Sequence, residues 1–162
     1  MHPETPRGGI ELSRLHPGER KFDLGAYVKQ FAASFGVNDI NPSKRMPSTR
    51  RALAMSEFAR DQGKLDVFRK LVMDAHWRDG RDIEDNTVLA ETATAAGLDA
   101  EKAVLAADDP VYLRRVDDAR IEYKKVGVGG IPTFVFDTES IEGCQPYEVI
   151  SAAAVRAGAK PK

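Results

Sequence analysis

Cysteine is the scarcest resource in this chain: one residue, Cys144, in 162. It has no intramolecular partner, so no disulfide staples the fold, and such usage fits a reducing compartment. No apolar run approaches the roughly 20 residues that cross a bilayer, which leaves the membrane out as a partner. The opening residues, MHPETPRGGIELSRLHPGER, hold no apolar stretch of a secretory signal, and the expected compartment is the cytoplasm. Lysine and arginine (24) almost balance aspartate and glutamate (25), a formal charge of −1. No basic field therefore draws the chain to nucleic acid or to an anionic surface. His2, His16 and His76 are scattered without ligand spacing, so no metal site is expected. Internal repeats and low-complexity tracts are lacking as well.

What is present is helical pattern for most of the length. Residues 1–22 are rich in proline, glycine and charge, with His2-Pro3 and His16-Pro17, and read as an extended lead-in. Asp23 is a good N-cap for a helix on which Leu24, Tyr27, Val28, Phe31 and Phe35 recur before Gly36. The stretch NDINPSKRMP reads as a loop. A second helix, capped by Ser48 or Thr49, runs to Gly63. A third carries Leu65, Phe68, Val72 and Ala75 on one face and stops near Gly80. A fourth starts after Asp85, packs Val88, Leu89 and Ala93, and stops at Gly97; Asp99 opens a short fifth. Asp109-Pro110 starts a sixth, with proline at the first helical position and Leu113, Val116, Tyr123 and Val126 inward.

Strand chemistry appears only at the end. PTFVF (132–136) is β-branched and aromatic, Asp137 and Thr138 can turn it, and ESIEG can return antiparallel. Gln145-Pro146 then opens a last helix, with Pro146 at its first position and Tyr147, Ile150 and Ala154 buried. Six helices, one hairpin and one helix make an unfinished sheet, because a lone hairpin leaves two edges unpaired. The lead-in segment, a second copy of the chain or another segment would complete it.

The stretch GVGGIPTFVF (127–136) places a flexible loop and Pro132 before that hairpin. A cis proline there turns the preceding carbonyl and amide outward, ready to pair with an extended ligand. A proline that merely opens an edge strand explains the local sequence equally well. GVGG is not a phosphate loop, since it follows a helix and opens a strand, the reverse of a dinucleotide fingerprint. The basic run Lys44, Arg45, Arg50 and Arg51 reads as a solvated face.

Taken together, HPETP (2–6), STRRALAMSEFARDQGKLDVF (48–68), AHWRDGRDI (75–83), GVGGIPTFVF and IEGCQPYEVI (141–150) make the chain resemble the DsbA-like thioredoxin family. The resemblance is to its FrnE-like branch, related to 2-hydroxychromene-2-carboxylate isomerases, and covers nearly the whole length. It implies an α/β thioredoxin-like fold of DsbA type with a large helical insertion. Residues 1–22 would be the remnant of a thioredoxin strand, 23–126 the helical insertion, and 127–162 the thioredoxin part with proline loop, hairpin and helix. The implied activity is thiol–disulfide oxidoreduction on a protein or small-molecule thiol, with no bound cofactor and glutathione as a candidate co-substrate. Gly130, Ile131 and Pro132 would present backbone to the substrate. The family's first βαβ unit, with its Cys-x-x-Cys, has no counterpart in these residues. The expectation is thus an N-terminally truncated chain with impaired dithiol turnover.

Two further positions carry open alternatives. Cys144 precedes a helix start, where the dipole favours a thiolate; otherwise it is a small, half-buried residue at a strand–helix corner. His76-Trp77 either lines a groove for substrate or glutathione or simply ends a helix. Two other functions stay in play: a non-catalytic peptide-binding or self-associating module, dimeric through the exposed sheet edge, and a glutathione-dependent isomerase.

Overall fold

The computed structural model describes residues 5–14, 23–125, 127–137 and 139–160. Both His-Pro dipeptides of the lead-in, and the inward position expected for Val126, lie outside the described residues, as does Thr138 of the turn. The described residues divide into two compact units, Met1–Asp117 and Asp118–Lys162, and each is taken by itself below.

In the first unit, aspartates start the helices as their chemistry requires. Asp23, Asp85 and Asp99 accept hydrogen bonds from the amides of Ala26, Thr87 and Lys102 at 3.0, 2.6 and 3.1 Å, satisfying donors that a helix leaves free. They open α1 (Leu24–Ala33), α4 (Asn86–Ala95) and α5 (Ala100–Ala106). Between α1 and α4 run α2 (Arg50–Asp61) and α3 (Leu65–Trp77). Thr49 is the N-cap of α2, but no side chain completes that cap. Helix α6 (Pro110–Lys125) spans the boundary between the units, and Asp109 accepts the Val111 amide at 2.7 Å at its start.

The core of this unit lies among α2 to α5. Phe68, Met55 and Leu89 are its largest fully buried side chains, and alanines such as Ala59, Ala93 and Ala103 fill the contacts between helices. Small side chains at the crossings allow close approach of the helix axes, so a few large residues suffice to fill the centre. Two buried hydroxyls are satisfied within their own helices: Ser56 donates to the Ala52 carbonyl at 2.8 Å, Thr92 to the Val88 carbonyl at 2.7 Å.

Several expectations are corrected here. Residues 5–14 and the loop after α1 are not wholly irregular: β1 (Ile10–Glu11) pairs antiparallel with β2 (Arg45–Met46), and a 3₁₀ turn (Leu12–Arg14) follows β1. Two residues per strand are too few to show alternation, so nothing in the pattern signals them. Helix α1 forms where expected but buries no residue. Tyr27, Phe31 and Phe35 stay exposed and contact one another, with ring centroids 6.1 and 5.2 Å apart. On α6 only Val116 is buried among the described residues; Leu113 and Tyr123 are half-buried.

The second unit holds the end of α6, the hairpin and the last helix. β3 (Thr133–Phe136) pairs antiparallel with β4 (Glu139–Glu142) in the register Thr133 with Glu142 through Phe136 with Glu139. Asp137 turns the chain with φ of 43°, a left-handed conformation that aspartate tolerates better than most residues. Helix α7 (Tyr147–Arg156) has Pro146 at its N-cap, one position earlier than expected. Its buried residue is Ala153; Ile150 and Ala154 are half-buried and Tyr147 is 78% exposed. Arg156 grips Glu139 with paired hydrogen bonds of 2.6 and 3.1 Å and so ties α7 to β4.

Candidate functional site

The loop between α6 and β3 is fixed at both ends and open in the middle. Gly127 and Val128 donate to the Lys124 and Tyr123 carbonyls at 3.1 and 3.2 Å, closing α6. The Gly129 amide donates to Glu142 Oε1 at 3.3 Å, and Thr133 Oγ1 donates to the Gly130 carbonyl at 2.6 Å. The Ile131–Pro132 peptide is cis, and the Pro132 carbonyl accepts the Gly143 amide at 2.8 Å.

Ile131 is the exception in this pinned segment. The residue is 74% exposed, and among the described residues neither its N–H nor its C=O has a hydrogen-bond partner. A free donor and a free acceptor on one residue, next to a two-stranded sheet, are the elements that an extended chain uses to add itself to a fold.

Cys144 follows Gly143, and the Gly143–Pro132 hydrogen bond brings it to the same end of the hairpin as the proline loop. It is exposed, so the half-buried corner is corrected: solvent reaches the sulfur. Gln145 Nε2 donates to the Glu142 carbonyl at 3.0 Å and shapes the corner around it. Gly130, Ile131, Pro132 and Cys144 thus share one end of one hairpin.

His76 and Trp77 belong to the other unit, in the last turn of α3, with ring centroids 4.8 Å apart and nearly edge to face. The Trp77 carbonyl accepts the Asn41 amide at 2.5 Å. Burial makes His76 harder to protonate than an ordinary imidazole, while a hydrogen bond to the Arg81 backbone and the charge of Asp82 oppose that effect. His76 lines a small cavity with residues from both ribbon strands' flanks and from the α3–α4 loop.

The sequence reading missed Glu84 and took Arg51 for part of a solvated face, whereas Arg51 is buried and bonded on both sides of its guanidinium. Glu84 accepts the amides of Gly8 and Ser48 at 2.8 and 2.6 Å, and Arg51 donates to the Glu84 carbonyl at 2.9 Å. The only available signal was charge inside an otherwise apolar helix start, which looks the same on a solvated face. Among the described residues no group of three or more His, Cys, Asp or Glu could hold a metal ion, and no helix is long and apolar enough to cross a membrane.

The family model for a DSBA-like thioredoxin domain matches residues 9–154. Among solved structures, the chain is similar to the crystal structure of a "probable DsbA oxidoreductase" from Streptomyces coelicolor, with 26% identity and a TM-score of 0.72, over 85% of this chain and 61% of that one. The chain thus spans about three-fifths of the length of the structure it matches. Comparison with the curated proteins gives no match.

Proposed function

The chain belongs to the DSBA-like thioredoxin domain family, and on that premise we propose that it works in thiol–disulfide exchange, presenting the loop before β3 to an extended substrate. The fold is the mixed α/β, mostly helical form of that family, which generally carries no cofactor. Within it, residues 23–126 form the helical insertion and 127–162 the thioredoxin part, in the FrnE-like branch, acting in the cytoplasm. The observation that carries the reading is Ile131, exposed and with no backbone hydrogen-bond partner among the described residues, at the mouth of the hairpin.

Exchange needs a thiolate that attacks a disulfide sulfur, expels the other sulfur as a thiolate, and is then released by a second thiol. These 162 residues contain one cysteine, so the second thiol comes from glutathione or a partner's cysteine. With oxidised glutathione, the Cys144 thiolate would form a mixed disulfide and release one glutathione thiolate. Dithiol turnover by these residues alone is therefore weak or absent. A glutathione-dependent isomerisation is compatible with the same thiol supply.

The test is a titration of the ¹⁵N-labelled chain with an extended peptide, alongside a disulfide-reduction assay. Amides from Val128 to Thr133 should shift, with no turnover above background. Thr133→Val removes the hydrogen bond to Gly130, worth about 1 kcal/mol; it should broaden the loop amides and weaken the peptide about fivefold. Shifts confined to other surfaces would sink the reading. If oxidised glutathione adds no mass to the unmodified chain, Cys144 is removed from the chemistry.

A second reading rests on the sheet itself. β3 and β4 form a two-stranded sheet whose outer edges have no strand partner among the described residues. Such an edge accepts another strand, and the occupant in this reading is a second copy of the chain, making a homodimer. Sedimentation should then show a concentration-dependent dimer. A monomer at all concentrations, with one sharp thermal transition, would count against it.

A further inference from the structure

Ribbon and helical body meet at a small cavity of about 80 Å³ in the first unit. Gly8, Gly9 and Arg45 come from the ribbon side, His76 from the end of α3, and Arg81 and Glu84 from the α3–α4 loop. The walls are tight. A Cβ on Gly9 would stand 2.7 Å from the Met46 carbonyl oxygen and one on Gly80 2.9 Å from Asn41 Nδ2, and both glycines hold positive φ, 69° and 63°. The two ribbon strands are thus fitted to one another at Gly9, and the α3–α4 loop to the segment that leads into β2 at Gly80.

What fastens them is carboxylate chemistry. Both oxygens of Glu84 are used: Oε2 accepts the Gly8 amide and Oε1 the Ser48 amide. The ribbon adds few bonds of its own, namely the short β1–β2 pairing and the Leu12 amide to the Lys44 carbonyl at 3.0 Å. Segments held by so few contacts open locally at far lower free energy than the core.

His76 is the group whose charge can change in this place. Its Nδ1 is buried and has no hydrogen-bond partner among the described residues, while the ring lies against Trp77. The charges around it come from three elements. Arg45, paired with Glu11, stands on β2; Arg81, paired with Glu91, stands with Asp82 and Glu84 on the loop. Asp74 on its own helix is paired with Lys70 and Arg78, and Arg78, the cap residue after that helix, is paired with Asp39 as well. Glu84 is already committed to two amides, and Asp82 Oδ1 to the Glu84 amide. The two guanidinium groups and the two carboxylates that line the cavity offset one another, and Asp82 favours the imidazolium, so the cost of a proton on Nδ1 is that of a buried charge with no acceptor facing it.

We propose that His76 is a proton-operated latch: while its imidazole is neutral the β1–β2 ribbon stays clasped to Glu84, and protonation opens the cavity and releases the ribbon. Burial is the first cause of the lowered proton affinity, and it sets the sign. A folded-state value below the ordinary 6.5 means the stabilisation is complete above that pH. It is lost as pH falls through the lowered folded value.

Amide exchange on the full chain tests this as pH falls from about 7.5 through the imidazole titration of His76. Protection factors at Gly8 and Ser48 should fall about fivefold or more, while Met55 and Phe58 in α2 hold theirs. The midpoint should coincide with the imidazole titration of His76 followed in the same unmodified chain. In His76→Gln, which cannot be protonated, the fall should vanish. The latch is wrong if Gly8 and Ser48 keep their protection, if the core amides lose theirs equally, if the two midpoints differ, or if His76→Gln behaves as the parent does.

Discussion

Phe68→Ala lowers the stability of the helical unit by about 3–5 kcal/mol, the range for truncating a buried phenylalanine. Phe68 has no exposed surface and is the largest fully buried side chain among the described residues. The helices around it meet through alanines, which cannot swell into the space a lost ring leaves, so little of the cavity collapses. A loss of that size is a large share of the 5–15 kcal/mol that keeps an ordinary domain folded. Trp77, the only tryptophan, lies on the same helix, so its fluorescence in urea reports this unit's transition separately from the hairpin. The midpoint should drop with the slope unchanged. Phe31→Ala is the control. Phe31 is 42% exposed on α1, a helix with no buried residue, and its loss should move the midpoint by about 0.5 kcal/mol or less. Similar losses at both positions would mean that α1 is packed in solution.

That pair of phenylalanines shows what the sequence could and could not tell. Phe68 with Val72 and Ala75, and Phe31 with Tyr27 and Phe35, make apolar stripes of the same quality. Periodicity says that a stripe exists, and it says nothing about whether another element covers it. Helix starts were legible because an aspartate cap is a local hydrogen bond between neighbours in sequence, as at Asp85 and Thr87. The hairpin was legible for a like reason, with β-branched and aromatic residues on either side of a turn. The β1–β2 ribbon and the Glu84 clasp were not, because the one pairs two short strands distant in sequence and the other joins residues 36 and 76 positions apart through one carboxylate. At the candidate site, Pro132 and its glycines were visible as a motif. That Cys144 sits at the same end of the hairpin depends on the Gly143–Pro132 bond, which belongs to strand register and not to any run of residues.

Arg51 leads to the second large effect, and an asymmetry makes it decisive. Its guanidinium is nearly buried, donating through Nε and Nη2 to Asp108 at 2.9–3.2 Å and through Nη1 to the Glu84 carbonyl at 2.9 Å. Asp108, by contrast, has a side chain 54% exposed. Arg51→Met removes the charge together with its bonds; Asp108 rehydrates, and the cost should be about 2 kcal/mol, mostly the lost tie to Glu84. Asp108→Ala leaves the guanidinium in place without its carboxylate, and an uncompensated buried charge is the costlier state, up to about 3–4 kcal/mol. The exposed partner is thus expected to matter more than the buried one. Adding Arg51→Met to Asp108→Ala should then recover roughly 1 kcal/mol or more, because no buried charge remains. Because the Glu84 carbonyl is one of Arg51's partners, each variant should also lower amide protection at Gly8 and Ser48, the two amides that Glu84 holds. If the double variant is less stable than Asp108→Ala alone, the guanidinium finds enough water where it lies, and the pair is a surface salt bridge of little weight.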